Sequence, residues 1–355
     1  MGDWMKFDSF VDRSPFGSVV VGTPVTWRLD APEAKVATLL VSRADGGMQA
    51  IVMQPSTTGW QATITPDIQG LWYYAFRVET EVGQLTYGTV AGGYGGDGQS
   101  YRDPDAAPWY QLTVVTRLEK VPAWYRDARI YHIFVDRFNN GNPDGHVNAP
   151  KPNSFLYGQL SDPPYYVKDA KGEIVRWDFY GGNLAGITAK LDWLQAQGFT
   201  AIYLSPIFEA RSNHRYDTAD YLQVDPMLGT LDDFKTLVAG LHARGMYLIL
   251  DGVFNHVGQD SRYFNAFGHY PEIGAAQSQQ SVYAPWFTFK HWPDDYASWW
   301  GVRDLPAIRK DSQAFHQFIA GGKDSVIGYW TGLGVDGWRL DVVDELEMDF
   351  LKQIR

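Results

Sequence analysis

The alternation of strand-like and helix-like segments in the later part of the chain constrains its fold more than any other feature. Four short apolar runs have the composition of buried strands: 130–135, 200–204, 246–253 and 335–340. In the stretches between them, apolar residues recur at the helical spacing of three and four. Strands that alternate with helices in this way predict parallel βα units.

Three stretches carry the helical period. The first covers 184–194 and is followed by Gly198, a typical stop signal. The second starts at Thr230–Asp233, a capping-box pattern, and stops at Gly245. The third lies within 315–333. The residues expected on the buried faces of the first two helices are Leu184, Ile187, Leu191, Leu194, Phe234, Leu237, Val238 and Leu241.

Four parallel strands with polar residues at their carboxyl ends predict the first half of a (β/α)8 TIM barrel over residues 121–355. A short excursion over about 258–306 is expected after the third strand. The doubly wound alternative is excluded, because no glycine-rich phosphate loop follows the first strand.

Residues 1–120 have a different pattern, which predicts an N-terminal all-β sandwich. Short runs rich in β-branched and aromatic residues are separated by Gly, Pro and Asp at sandwich spacing. Residues 92–105 are expected to form a loop. Two interpretations, a sugar-binding platform and core packing, apply to Trp60, Trp72, Tyr73 and Tyr74. The expected strands are 19–21, 25–29, 37–42, 50–54, 59–64, 71–79, 84–88 and 111–116.

Composition narrows the classes of function. The 355 residues carry a formal net charge of −11, which argues against nucleic acid and anionic membranes as partners. The chain has 0 Cys, which excludes disulfides and thiolate metal sites and favours a reducing compartment. The sequence shows neither an apolar signal-peptide segment at its start nor an apolar run of membrane-spanning length, so a cytoplasmic protein is expected. Aromatic residues make up 15%, which suits either stacking on sugar rings or a large core.

The last predicted strand carries the residues with the clearest chemistry. Arg339 and Asp341 are two positions apart, so in a strand both side chains point to one face. A carboxylate beside a fixed guanidinium stays ionised, as a nucleophile must at neutral pH. The other interpretation of this pair is a structural ion pair at the end of a strand.

Several sequence blocks occur in an informative order. The first three are YGGNLAGI at 180–187, YLSPIF at 203–208 and SNHRYDTADY at 212–221. DGVFNHVG at 251–258 and GWRLD at 337–341 follow. Together they resemble the α-amylase family of glycoside hydrolases (family 13), whose third and fourth barrel strands carry the last two blocks. SWWGVRDLP at 298–306 and the pair Asp344–Glu345 are similar to its neopullulanase, cyclomaltodextrinase and maltogenic amylase branch. In that family the excursion after strand three is domain B.

The resemblance implies a retaining mechanism. Asp341 is the expected nucleophile, which forms a covalent glycosyl-enzyme, and Arg339 holds it ionised and oriented. Asp251 is expected to pair with that arginine. His256 is expected to donate to a hydroxyl of the sugar at the cleavage point, and Tyr216 to stack beneath the same sugar. The residues assigned to the substrate site are Tyr216, Asp251, Asn255 and His256.

The resemblance also implies a calcium site, since hard oxygen ligands suit that ion. Two departures weaken it: Asn183 replaces the usual Asp, and His146 stands where an oxygen ligand is expected. A turn of this composition also forms without a metal. No organic cofactor is expected. The candidate ligands are Asn140, Asn142, Asp144, Gly181 and Asn183.

The family's mechanism also needs an acid/base Glu on a fifth strand and a later His–Asp pair. The sequence stops at Arg355, so the chain is expected to be a fragment of a longer enzyme. Glu345 and Glu347 cannot replace the missing acid, because they follow the nucleophile on its own turn and helix.

Two functions of different class follow. The first is hydrolysis of α-glucosidic bonds in cyclodextrins, pullulan, starch or maltooligosaccharides. The second is a non-catalytic amylase-like protein that binds glucan or serves as a scaffold. The joint presence of Asp251, His256, Arg339 and Asp341 favours the hydrolase. The resemblance further implies that the full-length protein is a homodimer.

Overall fold

The computed structural model describes residues 4–81, 83–93, 95–152, 154–172 and 174–355. The chain divides into two compact units, Met1–Pro122 and Ala123–Arg355. The boundary expected at residue 120 lies close to this division.

The first unit is built from β-strands. A four-stranded sheet has the order β1-β3-β7-β6, and a seven-stranded sheet contains the path β10-β9-β8-β11-β2, with β4 beside β8 and β5 beside β4. The strands are β1 (Arg13–Ser14), β2 (Val19–Val20), β3 (Val25–Leu29), β4 (Val36–Arg43), β5 (Met48–Val52), β6 (Gln54–Ser56), β7 (Gly59–Ile64), β8 (Gly70–Thr80), β9 (Gly83–Thr89), β10 (Gly98–Tyr101) and β11 (Tyr110–Val115).

One hydrophobic cluster joins the two sheets of this unit. Trp27 from the smaller sheet and Tyr74 and Phe76 from the larger one belong to it and are almost fully buried. Trp72 and Tyr74 therefore pack in the core, which decides against the sugar-platform interpretation for these two residues. Both sheets contribute alternate residues, as expected for strands with one buried face.

Two sequence expectations for this unit were wrong. Residues 92–105 are not one loop, because Gly98–Tyr101 pairs with β9. The run 50–54 is not one strand, because the chain leaves β5 at the buried Met53 and enters β6 in the other sheet. Apolar periodicity cannot show such a change of sheet, because the residues on both sides remain β-like.

The second unit contains a parallel sheet of order β12-β17-β20-β23. Each neighbouring pair is parallel, as the alternation of strands and helices predicted. This order and the β-rich first unit agree with an N-terminal β region followed by a partial TIM barrel. The four strands are β12 (Ile130–Ile133), β17 (Ala201–Leu204), β20 (Tyr247–Gly252) and β23 (Gly337–Leu340).

Helices cover this sheet through a common apolar core that includes Leu204, Leu250, Leu237 and Trp330. The longest helix, Leu231–Ala243, begins with the predicted capping box: the Thr230 hydroxyl accepts from the Asp233 N–H, and the Asp233 carboxylate accepts from the Thr230 N–H. The helices are α1 (Ala123–Arg126), α2 (Leu184–Thr188), α3 (Leu191–Ala196), α4 (Leu231–Ala243), α5 (Gln313–Ala320), α6 (Val326–Gly332) and α7 (Met348–Ile354).

The helix expected over 184–194 is interrupted. The chain turns at Ala189 and Lys190, between α2 and α3. All four predicted apolar residues are nonetheless buried. The turn between α2 and α3 keeps these four side chains on the same buried face. Their spacing in the sequence therefore could not reveal that the helix is interrupted.

Short strands and 3-10 turns form the remaining loops of this unit. The excursion over 258–306 holds β21 (Phe289–His291), β22 (Asp295–Tyr296) and the 3-10 turn Trp299–Gly301. No helix in the described part of the chain is long and apolar enough to cross a membrane. The other loop strands are β13 (Phe155–Leu156), β14 (Val167–Lys168), β15 (Ile174–Arg176), β16 (Asp178–Phe179), β18 (Phe208–Ala210) and β19 (Thr218–Val224).

Candidate active site

The site begins where β20 and β23 end side by side. In their parallel register, Asp251 lies opposite Arg339. The backbone N–H of Asp341 donates to the Gly252 carbonyl at 3.0 Å, so Asp341 continues the ladder just beyond β23. Adjacent parallel strands thus bring these three charged residues to one edge of the sheet.

One guanidinium nitrogen joins the two carboxylates. Arg339 Nη1 lies 3.1 and 3.2 Å from the two oxygens of Asp251 and 2.6 Å from Oδ1 of Asp341. The Asp251 side chain is fully buried, whereas that of Asp341 is 14% exposed. Burial lowers the pKa of Arg339, but the carboxylate of Asp251 outweighs this effect and the net shift is upward. The cation is therefore fixed between a buried carboxylate and one that a ligand can reach.

Two tyrosines complete the environment of Asp251. The hydroxyls of Tyr203 and Tyr216 both donate to Oδ2 of Asp251, the second at 3.0 Å. Burial raises the pKa of Asp251, and these hydrogen bonds together with Arg339 oppose that effect. Burial and the nearby Asp251 raise the pKa of Tyr216 to about 12, so it remains a hydrogen-bond donor near neutral pH.

The turn after Asp341 has a strained backbone. Val342 adopts the left-handed conformation with φ of 49°, ahead of the 3-10 turn Val343–Glu345. A β-branched residue rarely takes this conformation, and strain of this kind costs on the order of 1–3 kcal/mol. Such strain concentrates at functional sites, and here it directly follows the predicted nucleophile.

His256 is buried, and neither of its ring nitrogens has a hydrogen-bond partner in the described part of the chain. Burial lowers its pKa, although the charge of Asp341 acts in the opposite direction. The ring lies 5.5 Å from that of Trp299. A neutral imidazole with unused nitrogens can exchange a hydrogen bond with a ligand hydroxyl.

The predicted site residues are not all brought together. One hydrogen-bonded cluster contains Arg339, Asp341, Asp251 and Tyr216. His256 is close enough for the charge of Asp341 to act on its pKa. Asn255 does not join the cluster. Its side chain lines a small cavity with His316 and Glu345, and its amide nitrogen is buried without a partner among the described residues.

Sequence reasoning missed other members of the site. Tyr203 stood in one of the matching blocks, but nothing in the sequence linked its hydroxyl to Asp251. Trp299 and Trp300 stack with ring centroids 5.5 Å apart, and Trp300 is 82% exposed. The indole N–H of Trp300 donates to Glu345 at 3.0 Å, which connects the excursion to the turn after Asp341. Their only sequence signal was a pair of tryptophans in the SWWGVRDLP block.

The predicted calcium ligands form a closed set of hydrogen bonds. Asn140 and Asn142 direct their amide N–H groups at the His146 carbonyl, at 3.0 and 2.7 Å. Asn183 Oδ1 caps α2 by accepting from the Gly186 N–H at 2.8 Å, and it also accepts from the Gly141 N–H.

The remaining carboxylate of this loop is also engaged. Asp144 Oδ1 lies 2.6 Å from Nδ1 of His146. Among the described residues, no three His, Asp or Glu side chains come together in a way that could hold a metal ion. In this arrangement the amide groups of Asn140 and Asn142 donate to a backbone carbonyl, and Asn183 Oδ1 accepts from two backbone N–H groups, so these side chains have partners within the protein. A calcium ion would compete with these hydrogen bonds.

The cluster has the features of a site for nucleophilic chemistry on a neutral ligand. Asp341 is partly exposed and is held by one cation, Arg339. The same cation pairs with Asp251, which accepts a hydrogen bond from the Tyr216 hydroxyl, and the buried His256 lies within the electrostatic influence of Asp341. A carboxylate in such a position can attack an electrophilic carbon.

Comparisons with known proteins show the family to which the chain is similar. Residues 132–353 match the family model for the alpha amylase catalytic domain. An amylopullulanase from Thermoanaerobacterium saccharolyticum is 34% identical over 385 residues, covering 97% of this chain and 30% of that protein. Neopullulanase 2 from Thermoactinomyces vulgaris is 36% identical over 256 residues, covering 69% of this chain and 39% of that protein.

A solved cyclomaltodextrinase structure matches with a TM-score of 0.59 and 26% identity, covering 94% of this chain and 55% of that one. The chain thus spans less than two thirds of the length of each of these relatives. The family match extends over most of the second unit and includes every residue of the charged cluster. The chain therefore belongs to the α-amylase family of glycoside hydrolases.

Proposed function

We propose that the complete protein hydrolyses α-glucosidic bonds with retention of configuration and uses Asp341 as its nucleophile. The observation that carries the proposal is the single guanidinium nitrogen of Arg339 that bridges the buried Asp251 and the reachable Asp341. This arrangement holds and aims the Asp341 carboxylate through only one of its oxygens.

In this mechanism the reacting atoms are an oxygen of Asp341 and the anomeric carbon of a glucosyl residue. The oxygen forms a bond to the carbon as the bond to the leaving oxygen breaks, and water later releases the sugar. His256 hydrogen-bonds to a sugar hydroxyl, and Tyr216 supports the ring. Protonation of the leaving oxygen needs a second carboxyl group about 5–5.5 Å from the nucleophile. We assign that role to a part of the complete protein outside these 355 residues.

The substrate class we propose is cyclodextrins, pullulan, starch or maltooligosaccharides. Its support is the similarity to proteins named amylopullulanase, neopullulanase and cyclomaltodextrinase. The non-catalytic alternative, a protein that binds glucan or acts as a scaffold, has no need of a nucleophile held by Arg339.

We also expect the complete protein to be a cytoplasmic homodimer. Cell fractionation tests the location, and light scattering tests the oligomeric state.

Trapping the covalent intermediate tests the proposal. The complete protein is incubated with a fluorinated maltosyl fluoride, which forms the glycosyl-enzyme but releases it slowly. Peptide mapping by mass spectrometry is expected to place the sugar on Asp341. The matched control is Asp344→Asn, which changes an exposed carboxylate on the same turn and should still be labelled.

The competing outcomes are distinct. A label on another carboxylate would contradict the assignment of Asp341. Binding of maltooligosaccharides with neither label nor turnover would support the non-catalytic alternative instead.

We further propose that the loop around Asn142 keeps its shape without calcium. The support is the hydrogen-bonded arrangement of Asn140, Asn142 and Asn183, in which each side chain has a hydrogen-bond partner within the protein.

A further inference from the structure

Arg215 directly precedes Tyr216 and has two features that are costly in a folded chain. Its backbone has φ of 61°, in the left-handed region that glycine adopts without strain. Its side chain is only 2% exposed, so a permanently charged guanidinium lies inside the protein. Because a glycine would form the same turn without either cost, the turn alone does not account for this arginine side chain.

Asp225 is the anionic partner of Arg215. Oδ2 of Asp225 lies 3.0 Å from Nε of Arg215, an ion pair without hydrogen-bond alignment, and it accepts from Nζ of Lys151 at 2.6 Å. The Asp225 side chain is 0% exposed, and its Oδ1 accepts from the Met227 N–H at 2.9 Å. Two cations therefore converge on one oxygen of a carboxylate that water does not reach.

Lys151 connects this ion pair to β18. Its ammonium group donates to the Ala210 carbonyl as well as to Asp225. The ring of Phe179 packs against both cations, with its centroid 5.5 Å from Nζ of Lys151 and 5.7 Å from Cζ of Arg215. Such contacts between a cation and an aromatic face are attractive. We call Lys151, Asp225 and Arg215 the buried triad.

The charges of the triad depend on one another. Burial raises the pKa of Asp225, but Arg215 and Lys151 outweigh this effect and the net shift is downward. Removing one member therefore leaves a buried charge without compensation, which destabilises the loop. Other titratable groups also act on the triad or respond to it: Asp136, Glu209, His214 and Asp217.

The loop that carries Arg215 leads directly to the catalytic cluster. The Arg215 N–H donates to Oγ of Ser212 at 3.0 Å. The Tyr216 N–H donates to Nδ1 of His214 at 3.1 Å, and the Tyr216 hydroxyl donates to Oδ2 of Asp251 at 3.0 Å. Because Tyr216 leaves the backbone one residue after the strained position, a rotation at Arg215 would displace both the Tyr216 ring and its hydroxyl.

We propose that Asp225 and Lys151 are positioning residues that hold Arg215 in its left-handed conformation and thereby keep Tyr216 against Asp251. Without the ion pair, the Arg215 guanidinium turns toward water and the backbone relaxes. Tyr216 then loses its place beside Asp251. This inference rests on the proposed function where activity is the readout, because Tyr216 is there the residue that supports the sugar ring.

Two substitutions of Arg215 in the complete enzyme separate the cation from the turn. Arg215→Gly forms the turn without strain but removes the cation, and we expect kcat/KM for maltotriose to fall at least about tenfold. A misplacement of about 1 Å at a positioned group can cost on the order of a hundredfold. Arg215→Lys should stay within about threefold, because the contact with Asp225 uses one nitrogen that an ammonium can replace.

A double-variant cycle distinguishes positioning from a purely structural role. Asp225→Asn and Tyr216→Ala are made singly and together, and kcat/KM is measured for each. If Asp225 acts through Tyr216, the double variant should match Tyr216→Ala within about twofold, because the two losses are not independent. Losses that multiply would contradict the proposal. Arg215→Gly takes the place of Asp225→Asn in this cycle if the latter does not fold.

Asp336→Asn is the matched control for loss of stability. Asp336 lies at the opposite end of the same sheet, where its Oδ2 accepts from the Leu248 N–H at 2.8 Å and lies 2.9 Å from Nε2 of His242. Its removal should lower the unfolding temperature but leave kcat/KM within about twofold, since independent sites act additively. Thermal unfolding of every variant defines a temperature at which all of them are folded, and rates are compared there.

Crystal structures of Arg215→Gly and Asp225→Asn test the positioning role without turnover. We expect the Tyr216 hydroxyl to lie beyond hydrogen-bond distance of Asp251, at more than about 3.5 Å. If it does and the wild type hydrolyses no glucan, only the proposed function fails. If Tyr216 keeps its contact with Asp251 in both variants, the positioning role is overturned while hydrolysis stands.

Discussion

Asp251 and Arg339 are partners across adjacent parallel strands, and Arg339 Nη1 approaches both carboxylate oxygens of Asp251 at 3.1 and 3.2 Å. Because both strands end at the same edge of the sheet, this pair fixes the direction of the Arg339 side chain before any ligand arrives. Asp341 follows Arg339 by two residues, and its Oδ1 makes the third contact of Arg339 Nη1.

Asp341→Asn in the complete enzyme should lower turnover of cyclodextrin or pullulan by at least about a thousandfold, as loss of a nucleophile normally does. The amide is nearly isosteric but cannot form the covalent intermediate. The unfolding temperature should change little, because the lost ion pair is partly exposed. Steady-state kinetics and calorimetry measure the two effects, and activity within tenfold of wild type would rule Asp341 out.

Tyr203→Phe should destabilise the protein by about 1–3 kcal/mol, because it removes a hydroxyl that donates to a buried carboxylate. Tyr131→Phe is the control, since the Tyr131 hydroxyl makes no hydrogen bond with the described residues. Denaturant unfolding of both variants measures the difference. Equal stability of the two would show that Asp251 does not depend on Tyr203.

His256 should make the protein less stable as the pH falls below the ordinary histidine pKa of about 6.5. Burial lowers the pKa of His256 in the folded state. Below about 6.5 the unfolded chain therefore binds a proton that the folded chain resists, so the free energy of unfolding decreases. Above that pH both states hold a neutral ring and the effect disappears.

The His256 effect is measured as the slope of unfolding free energy against pH between about 7 and 5. His256→Gln should flatten the slope. Part of the remaining slope comes from His214, because burial lowers its pKa as well. His291→Gln, at a position whose side chain is 89% exposed, is the control for removing a histidine from the surface. A wild-type slope in His256→Gln contradicts the prediction.

Saturating calcium should not raise the unfolding temperature of the wild type relative to chelator, because a ligand stabilises only if it binds the folded state. Asn142→Asp combined with Asn183→Asp introduces two carboxylates among the candidate ligands and should create a calcium-dependent rise in the unfolding temperature. Asp232→Asn, at an exposed position of α4, shows whether a change of surface charge alone makes the unfolding temperature depend on calcium. A clear rise in the wild type would show that the Asn side chains turn their oxygens inward to hold the ion.

The sequence alone determined the order of the four parallel strands in the second unit and the residues that its first two helical stretches bury. Alternating apolar runs predicted β12, β17, β20 and β23, and helical spacing selected Leu237 and Leu241 as buried residues. These features depend on local periodicity, which the chain carries whatever its tertiary contacts. The motif at 337–341 likewise placed Arg339 and Asp341 on one strand face.

Only the tertiary structure decided which distant side chains meet. Tyr203 reaches Asp251 from another strand, and Trp300 reaches Glu345 across 45 residues of sequence, so no local pattern could predict either contact. The direction of the amide groups in the Asn140–Asn148 loop also depends on its fold, because Asn offers both a donor and an acceptor. Sequence thus specified the residues able to do chemistry, and the parallel sheet specified their partners by bringing strand ends to one edge.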